Sequence, residues 1–188
     1  SGDTLTAESV PIKGTCRHAE GSAGRLALWE SDKERAELTM IVDLVRNDLG
    51  RVSRPGSVRA APRTLRRCGD LLHAEQHVRG ILEPGLDAFD AVAAAFPPGS
   101  ATGAPKVAAM GIINRLEATP RGIYTGSLGY FTDDGRAHLN VAIRTATVTG
   151  GRCSYHIGAG IVADSDPDRE WHETLAKGTA LGAWLGAR

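Results

Sequence analysis

Glu34 and Glu37 stand three residues apart, and Glu170 and Glu173 repeat that spacing near the other end of the chain. On a helix this spacing sets two carboxylates one turn apart on the same side. Two such pairs brought together would offer hard oxygen ligands to a cation such as Mg2+, leaving positions for water or a substrate carboxylate. Taken singly, each pair is better read as a solvated helix face, and Glu34 as a cap, because Ser31 three residues earlier completes a capping box. A helical wheel puts Glu34 within the apolar stripe of Leu38, Ile41 and Val45, with Glu37 flanking it. A carboxylate facing a core is costly unless a cation meets it. In the last segment Glu170, Glu173 and Lys177 share one stripe, and Trp171 and Leu175 another.

Lys13 lies in VPIKGT, between Pro11 and Gly14. A lysine is a nucleophile only when deprotonated, so its surroundings must lower a reference pKa of ~10.4 through desolvation or neighbouring charge. On spacing alone a surface lysine in a turn is the safer reading. In LNVAIRT, strand alternation sets Asn140, Ala142 and Arg144 opposite Leu139, Val141 and Ile143. Arg144 is then either a fork for a ligand carboxylate or an exposed strand arginine. Gly158 and Gly160 alternate in GAGIVA and would bare the backbone on one face of a strand. PPGSATGAPK delivers small residues into a helix start, which suits an anion, but the order GxxxxGK[ST] of a phosphate loop is absent and taken alone the segment is better read as a tight turn.

The elements that must position these residues follow from periodicity. Residues 1 to 30 read as strand and loop, with HAEGSAG as an exposed connection. A helix runs from Ser31, through Leu38, Ile41, Val42, Val45 and Leu49, to Gly50. Residues 85 to 96 and 104 to 117 are predicted helices, the second with Pro105 in its first turn and Val107, Met110, Ile113 and Leu116 on its apolar face. YTGSLGYF, AHLNVAIRTATV and CSYHIGAGIVA, joined by TDDG and TGGR, predict an antiparallel meander. A last helix follows from Pro167, capped by Ser165 or Asp166. The class expected is α+β, with residues 1–188 forming one domain or a piece of one.

Composition narrows the function. The 188 residues carry 22 basic and 22 acidic side chains, which argues against nucleic acid as a partner. No apolar run approaches the ~20 residues of a membrane span, and the polar start resembles no targeting peptide, so a cytoplasmic protein is expected. Cys16, Cys68 and Cys153 show no CxxC pairing and are expected to be reduced thiols.

Several long segments in register carry a resemblance: PIKGT, AELTMIVDLVRNDLGRV, FPPGSATGAPKVAAM, RGIYTGSLGYF, LNVAIRTA, GAGIVADSDP and EWHETLAKG. Together they resemble the chorismate-binding enzyme family, which includes anthranilate, aminodeoxychorismate, isochorismate and salicylate synthases, and they cover nearly everything from residue 11 to residue 180. The resemblance implies the C-terminal part of the anthranilate synthase component I-like two-layer fold, with the N-terminal half absent. It implies Glu37 and Glu173 as principal Mg2+ ligands, supported by Glu34 and Glu170. Tyr124 and Arg144 would hold a chorismate carboxylate, with Thr15 and the backbone of Gly158 to Gly160 nearby. His73 matches a histidine near the substrate ring, and Lys177 a lysine near the metal.

Within the family, the lysine of PIKGT is similar to that of aminodeoxychorismate synthases, whereas the other members usually carry alanine there. The reaction so implied is amination of chorismate at C4, with Lys13 as covalent nucleophile and ammonia from a glutamine amidotransferase. Anthranilate synthesis and a non-catalytic chorismate-binding remnant are the alternatives. Two departures from the family pattern stand out: the polar AEQHVRG after His73, and Gly111 at a commonly acidic position.

Overall fold

A computed structural model describes residues 4–162, 165–184 and 186. The chain divides into two compact units: residues up to Met110 together with Thr132–Arg136, and Gly111–Phe131 together with residues from Ala137 onward. Both are α+β, with antiparallel sheets.

The first unit is built around α2 (Asp32–Gly50), whose N-terminus is capped as the sequence predicts: the Ser31 hydroxyl accepts the Glu34 N–H at 3.3 Å. Leu38, Val42 and Leu49 of α2 are buried with Ala74 and Val78, and Ala7, Val45, Val58 and Leu65 pack around them. Ala74 belongs to a three-stranded sheet ordered β2-β5-β4 (Ile12–Arg17, Leu71–Glu75 and Thr64–Cys68). Val78 belongs to a second, ordered β1-β6-β3 (Thr6–Ser9, Val78–Ile81 and Arg59–Ala60). Removing such aliphatic surface from water is the main force holding helix to sheets.

HAEGSAG is not the exposed connection expected. It forms a 3-10 turn (His18–Glu20) and then α1 (Gly21–Glu30). The helix is selected by tertiary contacts that spacing does not reveal. Gly24 and Leu28 face inward one turn apart, and the Arg63 guanidinium donates to the last carbonyls, Leu28 O at 2.9 Å and Trp29 O at 3.1 Å. Those carbonyls have no partner within a helix, so a cation there holds its end. Downstream, α3 (Ala88–Ala95) is shorter than residues 85 to 96, and a short α4 (Gly99–Thr102) separates it from α5 (Lys106–Leu116), which starts one residue after Pro105.

The polar departure AEQHVRG is accommodated by charge. Glu75 is 7% exposed, with His77 Nε2 and an Arg66 nitrogen at 3.6 and 3.7 Å. Glu8 Oε1 meets Arg79 Nε and His77 Nδ1, each at 2.6 Å, and the Arg79 hydrogen bond holds the Glu8 carboxyl below its ordinary range.

In the second unit the expected meander is two separate hairpins. β7 (Ser127–Phe131) pairs with β8 (Ala137–Val141), and β9 (Ala146–Thr149) with β10 (Arg152–Tyr155). AHLNVAIRTATV breaks between β8 and β9, where Arg144 takes a φ of +52°. Its alternation therefore ends at Val141. Ala142 is fully buried, while Leu139, Val141 and Ile143 are exposed. Residues 156–162 lie outside any strand, so Gly158 and Gly160 bare the backbone of an irregular segment and not of a strand. The final helix, α6 (Pro167–Trp184), begins where expected, with the Asp166 carboxylate accepting the Arg169 N–H at 2.9 Å.

All three cysteines are free. Among the described residues no helix is long and apolar enough to cross a membrane.

Candidate functional site

In the first unit, the candidate residues gather where β2 departs from regular pairing. Ile12 faces Glu75 and Thr15 faces His73, so β2 spends three steps where β5 spends two, and the extra residue bulges at Lys13 and Gly14. Bulges re-aim side chains. Here Lys13 is two-thirds buried, and its ammonium sits 2.7 Å from Glu37 Oε2 on α2. Lys33, also on α2, stands farther off at 3.9 Å. The turn reading of Lys13 is thereby corrected: it is a strand residue reaching over a helix.

Gly14 makes the bulge possible. Its φ is +91°, and a Cβ there would stand 2.7 Å from Leu28 Cδ1 and 3.0 Å from Glu34 Oε2. Only glycine takes this backbone without strain. Gly14→Ala is expected to destabilise the protein by about 1–3 kcal/mol, read as a lower urea midpoint at unchanged m-value. A midpoint equal to the parent's would mean that the bulge tolerates a side chain.

The sequence places Glu34 in an apolar stripe, and its Oε2 is buried with no hydrogen-bond partner among the described residues. The capping box is thus half made, since Ser31 serves the Glu34 N–H while the Glu34 carboxylate lies against the backbone of Gly14. An orphaned buried carboxylate oxygen beside a second carboxylate, already faced by an ammonium ion, fits a hard cation in its donor chemistry. Thr15 and His73 are also brought together, with Thr15 Oγ1 2.9 Å from His73 Nδ1 across the β2–β5 pair. The hydroxyl fixes the imidazole's orientation and leaves Nε2 for other work.

In the second unit, α6 presents Glu170 and Glu173 one turn apart. Ser165 donates to Glu170 Oε1 at 2.9 Å, and the Lys177 ammonium lies 2.6 Å from Glu173 Oε1. Lys177 also donates to Gly158 O at 3.2 Å. Tyr124 closes the group, because a Cβ on Gly158 would stand 2.9 Å from its hydroxyl. Tyr124, Gly158, Lys177 and Glu173 therefore form one continuous set. Gly160 stands apart, with nothing within 4 Å of where its Cβ would be, and Arg144 is an exposed residue of the segment between β8 and β9. Within each unit, among the described residues, no three His, Cys, Asp or Glu side chains converge on one point.

Sequence reasoning missed Arg121. Its guanidinium grips the Glu117 carboxylate through Nε at 2.8 and 3.1 Å and Nη2 at 2.6 Å, donates to Thr125 Oγ1 at 3.1 Å, and lies 5.7 Å from the centre of the Tyr124 ring. The signal available was the position of Arg121 at the head of RGIYTGSLGYF, a segment already singled out. Arg121 holds the Glu117 carboxyl below its usual range, and burial pushes the Tyr124 phenol up, with the Arg121 charge opposing.

Comparison with known proteins gives a consistent result. The family model described as chorismate binding enzyme matches residues 3–182. The chain is 49% identical over 179 residues to anthranilate synthase component 1 1 of Haloarcula marismortui, covering 93% of this chain and 37% of that relative. It is 45% identical over 179 residues to aminodeoxychorismate synthase component 1 of Bacillus subtilis, covering 93% and 36%. Among solved structures, anthranilate synthase component I from Streptococcus pneumoniae superposes with a TM-score of 0.82 at 38% identity, over 92% of this chain and 39% of that one. The chain thus spans little more than a third of the length of these relatives.

Proposed function

The chain belongs to the chorismate-binding enzymes, and from that premise we propose that it carries the catalytic residues of an aminodeoxychorismate synthase component, which aminates chorismate at C4 with ammonia from a glutamine amidotransferase. The observation that carries this reading is Lys13, a partly buried lysine reaching from a strand bulge to the Glu37 carboxylate. A solvated surface lysine needs no bulge, no left-handed glycine and no carboxylate partner. On this reading the Lys13 amine, once it has shed its proton and its contact with Glu37, attacks ring carbon C2, the ring double bonds shift toward C4, and the C4 hydroxyl leaves with its C–O bond pair, protonated to water. Ammonia then bonds to C4, the double bond returns, and the lysine nitrogen leaves with the C2 bond pair.

The other residues position and bind. His73, oriented by Thr15, faces the ring, and Tyr124, Arg144 and the backbone of Gly158 to Gly160 would hold a carboxylate. By the family resemblance, Glu37 and Glu173 are the proposed principal Mg2+ ligands, supported by Glu34 and Glu170, with Lys177 beside Glu173. When bound, Mg2+ supplies charge neutralisation for a substrate bearing two carboxylates.

Glu37→Gln or Glu173→Gln is expected to weaken chorismate binding about tenfold or more with Mg2+ present and far less without it, as calorimetry would show. Equal losses in both conditions would make these glutamates structural.

A second reading has an observation in its favour: relatives as similar as the Haloarcula protein are anthranilate synthase components. Product analysis separates the two. The whole protein, given chorismate, ammonium and Mg2+, is expected to yield aminodeoxychorismate with its enolpyruvyl group retained. Anthranilate with released pyruvate would establish the second reading, and absence of turnover with retained chorismate binding would point to a non-catalytic binder.

A further inference from the structure

Thr125 is a β-branched residue with a φ of +59°, buried to 8% exposure directly after Tyr124. A backbone of that kind persists only where its surroundings over-determine it, and such places concentrate at ligand sites. Three contacts over-determine it here. The Thr125 N–H donates to Ala142 O at 2.8 Å, its hydroxyl accepts from Arg121 at 3.1 Å, and Gly126 N–H closes onto Ile123 O at 2.9 Å. Gly126 cannot relax outward with a side chain, since a Cβ would lie 2.8 Å from Ile123 O.

The Arg121 side chain touches both the strained residue and the tyrosine. Its grip on Glu117 is two-toothed, but Glu117 is 39% exposed, and a pair so open to solvent contributes little to stability. What the grip does is fix the guanidinium plane. With that plane set, one Nη donates to Thr125 and the cation lies by the Tyr124 ring, which also meets the His156 ring edge-on at 5.5 Å. The Tyr124 hydroxyl is thereby directed to Gly158.

We infer that Arg121, locked by Glu117, is a positioning residue that sets the Tyr124 hydroxyl for a substrate carboxylate. The carboxylate is that of the proposed function, on which this part of the inference rests. Lysine keeps the charge at position 121 but loses the planar fork, so Arg121→Lys isolates geometry from charge.

The test uses the whole protein. Arg121→Lys and Tyr124→Phe are each expected to weaken chorismate binding about tenfold in calorimetry, and to raise KM while kcat stays within about twofold. The double variant is expected to lose about tenfold as well, because an arginine that acts through the hydroxyl has nothing to act on once the hydroxyl is gone. Glu117→Gln is expected to fall between parent and Arg121→Lys. A hundredfold loss in the double variant, or an unchanged Arg121→Lys, would overturn the inference.

Ring resonances of isotope-labelled tyrosine supply a readout that needs no ligand. The Tyr124 signal, recognised by its absence in Tyr124→Phe, is expected to shift and broaden in Arg121→Lys. If it stays in place, Arg121 does not position the ring, whatever the substrate. If it moves while chorismate affinity is unaffected by Tyr124→Phe, the positioning stands and the assignment of the ligand fails instead.

Discussion

Lys13→Ala in the full-length protein is expected to lower chorismate amination by on the order of 10³-fold or more, while chorismate binding in the presence of Mg2+ changes little. The size of the loss follows from the covalent step: without the amine, ammonia must displace a poor leaving group directly. The ground-state contacts proposed for Tyr124 and Arg144 do not involve Lys13, and Glu37, released from the ammonium, keeps its carboxylate for the cation, so affinity is retained. Lys13→Arg separates this from a loss of charge, since arginine keeps a cation beside Glu37 but is not deprotonated in proteins and cannot attack. Both variants are expected to be equally inactive. Mass analysis of the products decides the matter, and parental amination by either variant removes Lys13 from the chemistry and with it the main support for the aminodeoxychorismate reading.

The second large effect lies away from the site. Asp48, near the end of α2, has a side chain only 9% exposed, and the Lys106 ammonium at the start of α5 meets its Oδ2 at 2.7 Å. Lys106 also donates to Ala95 O, the last residue of α3, at 3.3 Å. One cation therefore ties three helices of the first unit. Lys106→Met leaves the Asp48 carboxylate desolvated and unpaired, and is expected to destabilise the protein by about 3–5 kcal/mol in urea unfolding. The double variant Asp48→Leu with Lys106→Met is expected to recover most of that loss, because an apolar pair of similar volume has no charge to desolvate. A single variant within about 0.5 kcal/mol of the parent would show that water reaches the pair and that α5 is held by other contacts.

Side by side, the two lysines show how position decides use. Lys106 is 17% exposed and meets a carboxylate and a carbonyl, so its donors are spent within the fold. Lys13 is 35% exposed and leans from a bulge toward Glu37, which is also open to solvent at 24%. A ligand can reach the second pair more easily than the first, and this difference in exposure, not residue type, favours the catalytic use proposed for Lys13.

Much of this was legible in the sequence because local rules carried it. The Ser31 cap, the stripe of Leu38, Val42 and Leu49, the Asp166 cap and the turns at TDDG and TGGR are short-range signals, and each stands where expected. The glutamate pairs followed from helical spacing, since α2 and α6 each carry theirs one turn apart. The family followed from long segments in register, which no rearrangement of loops would disturb.

What tertiary structure alone decided was every case in which a distant group set a local conformation. α1 forms in a glycine-rich run because Arg63, 35 residues from Leu28, holds its last carbonyls. The apparent strand from Ala137 to Val148 breaks because Ala142 is drawn into the interior by paired hydrogen bonds with Thr125 and Gly126, and the chain turns through a left-handed Arg144. Lys13 faces Glu37 because β2 gains one residue against β5, a mismatch invisible in either strand alone. Periodicity records the field of near neighbours along the chain. A bulge, a broken strand or a fork such as Arg121 answers to partners that the chain brings near only by folding.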